Sequence, residues 1–260
     1  MRIYIAQLNP TVGDLSGNEQ MIRRAYRRGA DAGAEIVVVP ELAVTGYPPR
    51  DLLERVAFVE ASLRVSDDLA RMTEETALVF GCITRNTSSA GKPLHNAAVV
   101  AQNGAVVFEQ PKRLLPTYDI FDERRHFEPG TAGGVVELHG RRIGISVCED
   151  LWFEHRPSGR RLYATDPLES LDGQNCELLV NISASPFNVQ KRHLRHQVFR
   201  RVAHKHRIPI VYVNQVGGND ELLFDGSSVV FDDRGDPAFC SRSFAEDEAL
   251  VTVDGTVGAC

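Results

Sequence analysis

Apolar and polar positions alternate along the chain in short runs whose period separates strands from helices. Residues 3–8 alternate as a strand and close on Asn9-Pro10. Ser16 or Asn18 can cap a helix reaching about residue 32, where Gly33 stops it; Arg23, Arg24, Arg27 and Arg28 share one face, read as solvated. The β-branched run 36–39 predicts a strand covered on both faces, ending at Pro40-Glu41. Asp51 opens a second helix that carries Leu52, Leu53, Val56 and Val59 inward. Strands follow at 77–83 and 96–100, and Asn103-Gly104 is a two-residue hairpin signal leading into an arm at 105–109. Residues 142–147 form another strand, with Ile143, Ile145 and Val147 between small residues. Beyond it the pattern predicts a helix at 163–171, a strand at 177–182, a long helix at 189–205 and a strand at 208–213. Strands at 222–224 and 228–231 turn at Asp225-Gly226, and the tail from 249 adds an edge strand. Strands and helices alternate with antiparallel hairpins mixed in, and no linker, repeat or low-complexity stretch divides them. The expectation is one α/β domain over residues 1–260.

Composition narrows the partners. With 43% hydrophobic and 25% charged residues the 260-residue chain is ordinary for a globular domain with a sizeable core. A net charge of −6 argues against nucleic acid, which needs a concentrated basic surface. No apolar run has the length of a membrane span, and the strand-like start at Met1 does not read as a signal peptide. Five scattered cysteines without a CxxC pair fit a reducing cytoplasm better than a disulfide framework or a zinc site.

Three polar residues stand where apolar strands end: Glu41, Lys112 and Cys148. Together they would suffice for acyl transfer from an amide, with a thiol nucleophile, a carboxylate base and an ammonium beside the developing oxyanion. A core cysteine, a capping glutamate and a surface lysine would have the same spacing, so the pattern alone leaves both readings open. The irregular segment 117–130 is rich in aromatics and charge, as functional loops are. Phe121, Phe127, Trp152 and Phe187 cluster near these motifs and suit pocket walls as well as core.

The motifs themselves carry a resemblance. Pro40-Glu41 followed by Thr45-Gly46-Tyr47-Pro48-Pro49, then Lys112-Arg113-Leu114-Leu115-Pro116, then Val147-Cys148-Glu149-Asp150-Leu151-Trp152, resemble the glutamate, lysine and cysteine motifs of the nitrilase, or carbon–nitrogen hydrolase, superfamily, in that order. Tyr47 through Leu53, Tyr118 with Phe121 through Arg125, Ser185-Pro186-Phe187 and the stretch 214–226 resemble one branch, the glutaminase domains of glutamine-dependent NAD synthetases. The resemblance implies an α-β-β-α sandwich, with Glu41 as proton acceptor, Lys112 as oxyanion stabiliser, Cys148 as nucleophile and Glu123 as an additional acid orienting them. It also implies glutamine contacts from Tyr118, Ser185 and Lys191. Glu149 is a candidate partner for the α-ammonium, and Trp152 for the pocket wall.

Nothing after Val230 resembles the synthetase half of that branch, with its SGGxDS pyrophosphate loop. No cofactor is therefore expected in this domain; ATP and deamido-NAD would belong to a synthetase partner, domain or chain, that receives the ammonia. Homo-oligomerisation is expected by analogy. His193 and His196 lack a carboxylate at HExxH-type spacing, so no metal is expected. Residues 144–148 lack the final glycine of a serine elbow, and the Gly217-Gly218 and Gly226 segments lack a P-loop lysine. An amidase for another small amide and a non-catalytic scaffold are the remaining alternatives.

Overall fold

The computed structural model describes every residue except 119, 154, 156–158, 255 and 260, so Asp119 of the aromatic segment and the last of the cysteines lie outside the described residues. The first half of the chain runs β1 (Arg2–Gln7), α1 (Leu15–Asp31), β2 (Ile36–Val38), α2 (Val56–Arg71), β3 (Ala77–Arg85), β4 (Leu94–Gln102), β5 (Ala105–Pro111) and the short α3 (Glu123–His126). The second half runs β6 (Gly134–Leu138), β7 (Arg141–Val147), β8 (Leu178–Ser183), α4 (Lys191–His206), β9 (Ile210–Asn214), the hairpin β10 (Val216–Asn219) and β11 (Leu222–Asp225), β12 (Val229–Phe231), β13 (Pro237–Cys240), β14 (Asp247–Asp254) and β15 (Thr256–Ala259).

Two large sheets result, ordered β15-β14-β1-β2-β3-β4-β5 and β13-β12-β9-β8-β7-β6, beside the two-stranded β10-β11. At the centre of each, three consecutive strands run parallel, β1-β2-β3 and β7-β8-β9, while the outer strands are antiparallel. Because strand side chains alternate between faces, Ile3, Ile5, Ile36 and Val38 meet Ile145, Val147, Val180 and Val211 in one core between the sheets. The alternate positions, Tyr4, Val37, Leu78 and Phe80, turn outward and are covered by Ile22, Ala25 and Tyr26 of α1 and by Leu69 of α2. On the far side Leu179, Ile210 and Tyr212 are covered by Val198, Phe199 and Val202 of α4. The layers are therefore α-β-β-α, as the motif resemblance implied. The Asn103-Gly104 turn joins β4 to β5 with both residues at positive φ, the conformation such a two-residue hairpin requires.

Four local expectations are corrected. Asp14, not Ser16 or Asn18, caps α1, its side chain accepting the Gly17 N–H at 2.9 Å. Asn18 instead is buried and ties the helix to the Thr11 and Val44 carbonyls. The helix expected from Asp51 is two elements, a 3-10 turn (Arg50–Glu54) and α2, separated by extended backbone at Arg55, so Val56 sits on an opening turn at 74% exposure instead of facing inward. Residues 163–168 are loop, and the helical turn lies later, at Glu169–Gln174, as 3-10. β14 is not an edge strand: it pairs with β1, and β15 lies outside it. Among the described residues no helix is long and apolar enough to cross a membrane.

Candidate active site

The strands end at one place. β2 leads through Val39 and Pro40 to Glu41, and the Gly81 N–H of β3 donates to the Pro40 carbonyl at 3.1 Å. A Cβ on Gly81 would sit 2.5 Å from the Glu41 Cα, so only glycine lets β3 lie this close under the carboxylate-bearing turn. Lys112 follows β5 directly, its N–H held by the Asn96 carbonyl at 2.8 Å. Cys148 follows β7 and opens a 3-10 turn (Cys148–Trp152) with φ at 43°, a left-handed conformation unusual for a side-chain-bearing residue and typical of a nucleophile presented on a sharp turn.

Lys112 Nζ stands 2.7 Å from Glu41 Oε1 and 2.7 Å from Glu123 Oε1, and all three side chains are almost fully removed from water. Glu41 Oε1 also accepts Asn96 Nδ2 at 2.7 Å, and Glu41 Oε2 accepts the Ala184 N–H at 2.7 Å. Glu123 Oε1 accepts the Tyr47 hydroxyl at 2.8 Å. Burial opposes charge on Lys112, but the neighbouring Glu123 and Glu41 carboxylates outweigh it and hold the ammonium well above its usual range. Burial pushes Glu123 up to about 7, with Lys112 pulling against it and Glu41 adding to it.

Cys148 is buried beside this group, within electrostatic reach of Glu41, Lys112, Glu149 and Glu123. Burial first, then the Glu41 charge, pushes its thiol well above the ordinary range, and Lys112 offsets this only in part. The resting side chain is consequently a thiol, and any attack by it would need a base. Asp150 fixes the thiol turn to the lysine loop: its carboxylate accepts the N–H groups of Arg113, Leu114 and Val147 at 3.0, 2.8 and 3.1 Å.

A cleft of about 540 Å³ opens beside the thiol turn, with Glu149 and Trp152 from that turn, Tyr118 and Phe121 from the aromatic segment, and Phe187 and Lys191 from the β8–α4 connection among its walls. Lys191 Nζ lies 5.6 Å from the Trp152 ring centre and 5.8 Å from that of Phe121. Burial draws its pKa down, while the Glu149 charge opposes this. Glu149 accepts hydroxyls from Tyr118 and Tyr163, each at 2.9 Å. Ser185 is buried behind Pro186 and Phe187, its backbone held at both ends by the Asn214 side chain. The four residues read from the sequence as catalytic thus gather, and four of the five read as substrate-binding line one cleft. Sequence reading assigned no role to Asn96, Tyr47, Asp150 or Tyr163. Two of these stand inside the quoted motifs, whereas Asn96 and Tyr163 carry no local signal.

Two facing sheets with a buried glutamate–lysine pair and a thiol at their strand exits define a hydrolase of carbon–nitrogen bonds. The family model for carbon-nitrogen hydrolases matches residues 2–260, and the chain belongs to that family. Among curated relatives, a glutamine-dependent NAD(+) synthetase from Synechocystis is 38% identical across 98% of this chain and 47% of its own length, and one from Thermotoga maritima is 35% identical across 98% and 42%. The glutamine-dependent NAD+ synthetase of Acinetobacter baumannii superposes with a TM-score of 0.88 at 30% identity, covering 100% of this chain and 47% of that one. An amidase from Nesterenkonia superposes at 0.80 with 22% identity, a likeness of fold. The chain spans about half the length of the synthetases it matches.

Proposed function

We propose that the chain hydrolyses the side-chain amide of L-glutamine and releases ammonia for an NAD synthetase domain or chain. The observation that carries the reading is Lys112, buried and bridging two carboxylates at 2.7 Å beside a buried thiol on a left-handed turn. The cleft beside that thiol presents the acid Glu149 and the ammonium of Lys191, which suit the ammonium and carboxylate of a free amino acid. The synthetase relatives, whose names specify glutamine, support the same choice.

In this mechanism Glu41 takes the Cys148 proton as Sγ attacks the carboxamide carbon, and the carbonyl oxygen becomes an oxyanion beside Lys112. The C–N bond then breaks, with Glu41 returning the proton to the leaving nitrogen as ammonia departs. A γ-glutamyl thioester remains on Cys148. Glu41 next deprotonates water, which attacks the thioester; glutamate leaves and the thiol recovers its proton. Glu123 and Asn96 hold Lys112 and Glu41 in position throughout. No step calls for a cofactor, and ATP and deamido-NAD would act at the synthetase. We place the reaction in the cytoplasm and expect the chain to work as a homo-oligomer.

Rapid-quench mass spectrometry with L-glutamine tests the reading. A γ-glutamyl adduct on Cys148, absent from Cys148→Ala, is expected, with ammonia release. A panel of glutamine, asparagine and ω-amidated keto acids separates glutaminase from general amidase: equal or better turnover of a keto-acid amide would overturn the glutamine assignment.

A further inference from the structure

We propose that Tyr163, which sequence reading passed over, is a positioning residue that presents Glu149 to the cleft and so makes the enzyme selective for amides carrying a primary ammonium. The proposal rests on the glutamine reading above and deepens it.

Glu149 is 5% exposed, yet it contributes to the cleft wall. The Tyr118 and Tyr163 hydroxyls both donate to the same atom, Oε1, at 2.9 Å each. A carboxylate oxygen offers two lone pairs, so Oε1 is saturated. No hydrogen bond to Oε2 is made among the described residues. One oxygen is therefore held by the protein while the other, on a residue that lines the cleft, is left free to accept, and a buried carboxylate of this kind calls for a cationic donor.

The two phenols also favour the charged form of this carboxylate against burial. Burial pushes the Glu149 carboxyl upward; Lys112 opposes it, then the hydrogen bonds from Tyr118 and Tyr163. Both phenols keep the proton they donate, because burial and the Glu149 charge raise both well above the usual phenol range. The donors reach Glu149 from different stretches: Tyr118 from the loop after Lys112, Tyr163 from the loop after the Cys148 turn. Tyr118 itself lines the cleft, whereas Tyr163 does not; it borders a separate cavity of about 350 Å³ beside Arg113 and Arg124. Tyr163 therefore acts through Glu149 without touching the substrate. Lys191, among the cleft's other walls, supplies the opposite charge for the amino acid's carboxylate, and Glu149 with its two clamps accounts for the remaining charge.

The test is Tyr163→Phe, assayed with L-glutamine and with glutaramate, which has the same chain and amide but no α-ammonium. The ratio of kcat/KM for glutamine over glutaramate is expected to fall about tenfold, through KM, as for loss of one charge-assisted hydrogen bond. The acid limb of kcat/KM for glutamine should move to higher pH, since Glu149 loses a donor that stabilises its charged form, while the glutaramate limb stays where it was. Tyr163→Leu, which also removes the ring, must lower the same ratio. An unchanged ratio, or equal losses on both amides with unmoved limbs, overturns the assignment of Tyr163 alone. Failure of the unsubstituted chain to form a glutamyl thioester overturns both the glutamine reading and this extension of it.

Discussion

Asp150 accepts the Leu114 N–H at 2.8 Å, across 36 residues of sequence, and so sets the spacing between the loop that carries Lys112 and the turn that carries Cys148. The same carboxylate takes the Arg113 and Val147 N–H groups, so three backbone donors, two of them buried, depend on one side chain. Burial raises Asp150 to about 6, and the Leu114 and Val147 N–H groups pull it back toward ionisation. Replacing it by alanine leaves three donors without an acceptor. Asp150→Ala is expected to lose about 2–4 kcal/mol of stability and to lower kcat more than it raises KM, measured by urea unfolding and steady-state kinetics. Asp150→Asn, which keeps one acceptor oxygen, should recover part of both.

Glu41 has two effects on Cys148 that a single substitution separates. In the proposed mechanism it is the base for attack; as a negative charge it is, after burial, the chief cause holding the thiol up. Glu41→Gln should reduce amide turnover at least 100-fold through loss of proton transfer. The same change removes a repelling charge, so the pH profile of Cys148 alkylation by iodoacetamide should move to lower pH. Slower turnover with easier alkylation is the expected pair. If alkylation instead shifts to higher pH, Glu41 is not repelling the thiolate as the geometry requires.

Glu123 gives the fold a pH dependence of known sign. Its proton affinity rises from 4.5 to about 7 on folding, chiefly through burial. The folded chain thus holds a proton in the window where the unfolded chain has released it. That contribution to stability is complete below about 4.5 and is lost as pH rises through about 7. Glu123→Gln cannot titrate, so its unfolding free energy relative to the parent should climb between those limits and level off above them. Each tenfold change in proton affinity is worth about 1.4 kcal/mol, which makes the climb on the order of 3 kcal/mol, read from urea unfolding at a series of pH values. A flat difference would mean that Glu123 ionises alike in both states.

The Glu41 exit could be read from sequence because β2 is buried throughout, and a run such as Ile36-Val37-Val38-Val39 has little other use; Lys112 ends β5, a largely exposed edge strand, and its motif is what marked it. The layer order likewise follows from alternation, since Ile3 and Ile5 face one core and Tyr4 faces another. What sequence does not carry is which polar groups meet across the fold. Asn96 and Glu41 are 55 residues apart, and Tyr47 and Glu123 are 76 apart, so neither contact has a local signature. The misplaced helix at 163–171 has a related cause: Leu168 and Leu171 are spaced for an inward helical face and are indeed buried, but against α4, and a 3-10 turn serves them as well. Asp14, Ser16 and Asn18 are all able to cap α1, and Asn18 is drawn away by the Thr11 and Val44 backbone. β14 found its place beside β1 through a register that joins Ile3 to Val251, a pairing that local period cannot reveal.

Behind the Lys191 end of the cleft, Arg195 and Asp225 form a two-pronged ion pair at 3.0 and 3.2 Å, both side chains almost fully buried, with the guanidinium 5.3 Å from the Tyr212 ring centre. Arg195 sits one turn beyond Lys191 on α4, and Asp225 ends β11, just before Gly226, whose carbonyl accepts the Asn214 side chain that also clamps Ser185. The pair thereby adds a side-chain link between α4 and β11 to the backbone bond in which the Phe187 N–H donates to the Leu223 carbonyl at 2.6 Å. Desolvating two charges offsets much of their attraction, so the pair adds little net stability, but removing one partner strands the other in the core. Asp225→Asn leaves the guanidinium with a weaker acceptor and should cost less than Arg195→Met, which abandons a buried carboxylate at about 3–5 kcal/mol. Arg195→Met combined with Asp225→Leu should restore most of that stability while leaving KM for glutamine raised, because the apolar replacement cannot hold the Gly226 turn or the start of α4 in register. A double variant that recovered stability and KM together would show that the ion pair serves the core alone and has no part in shaping the cleft.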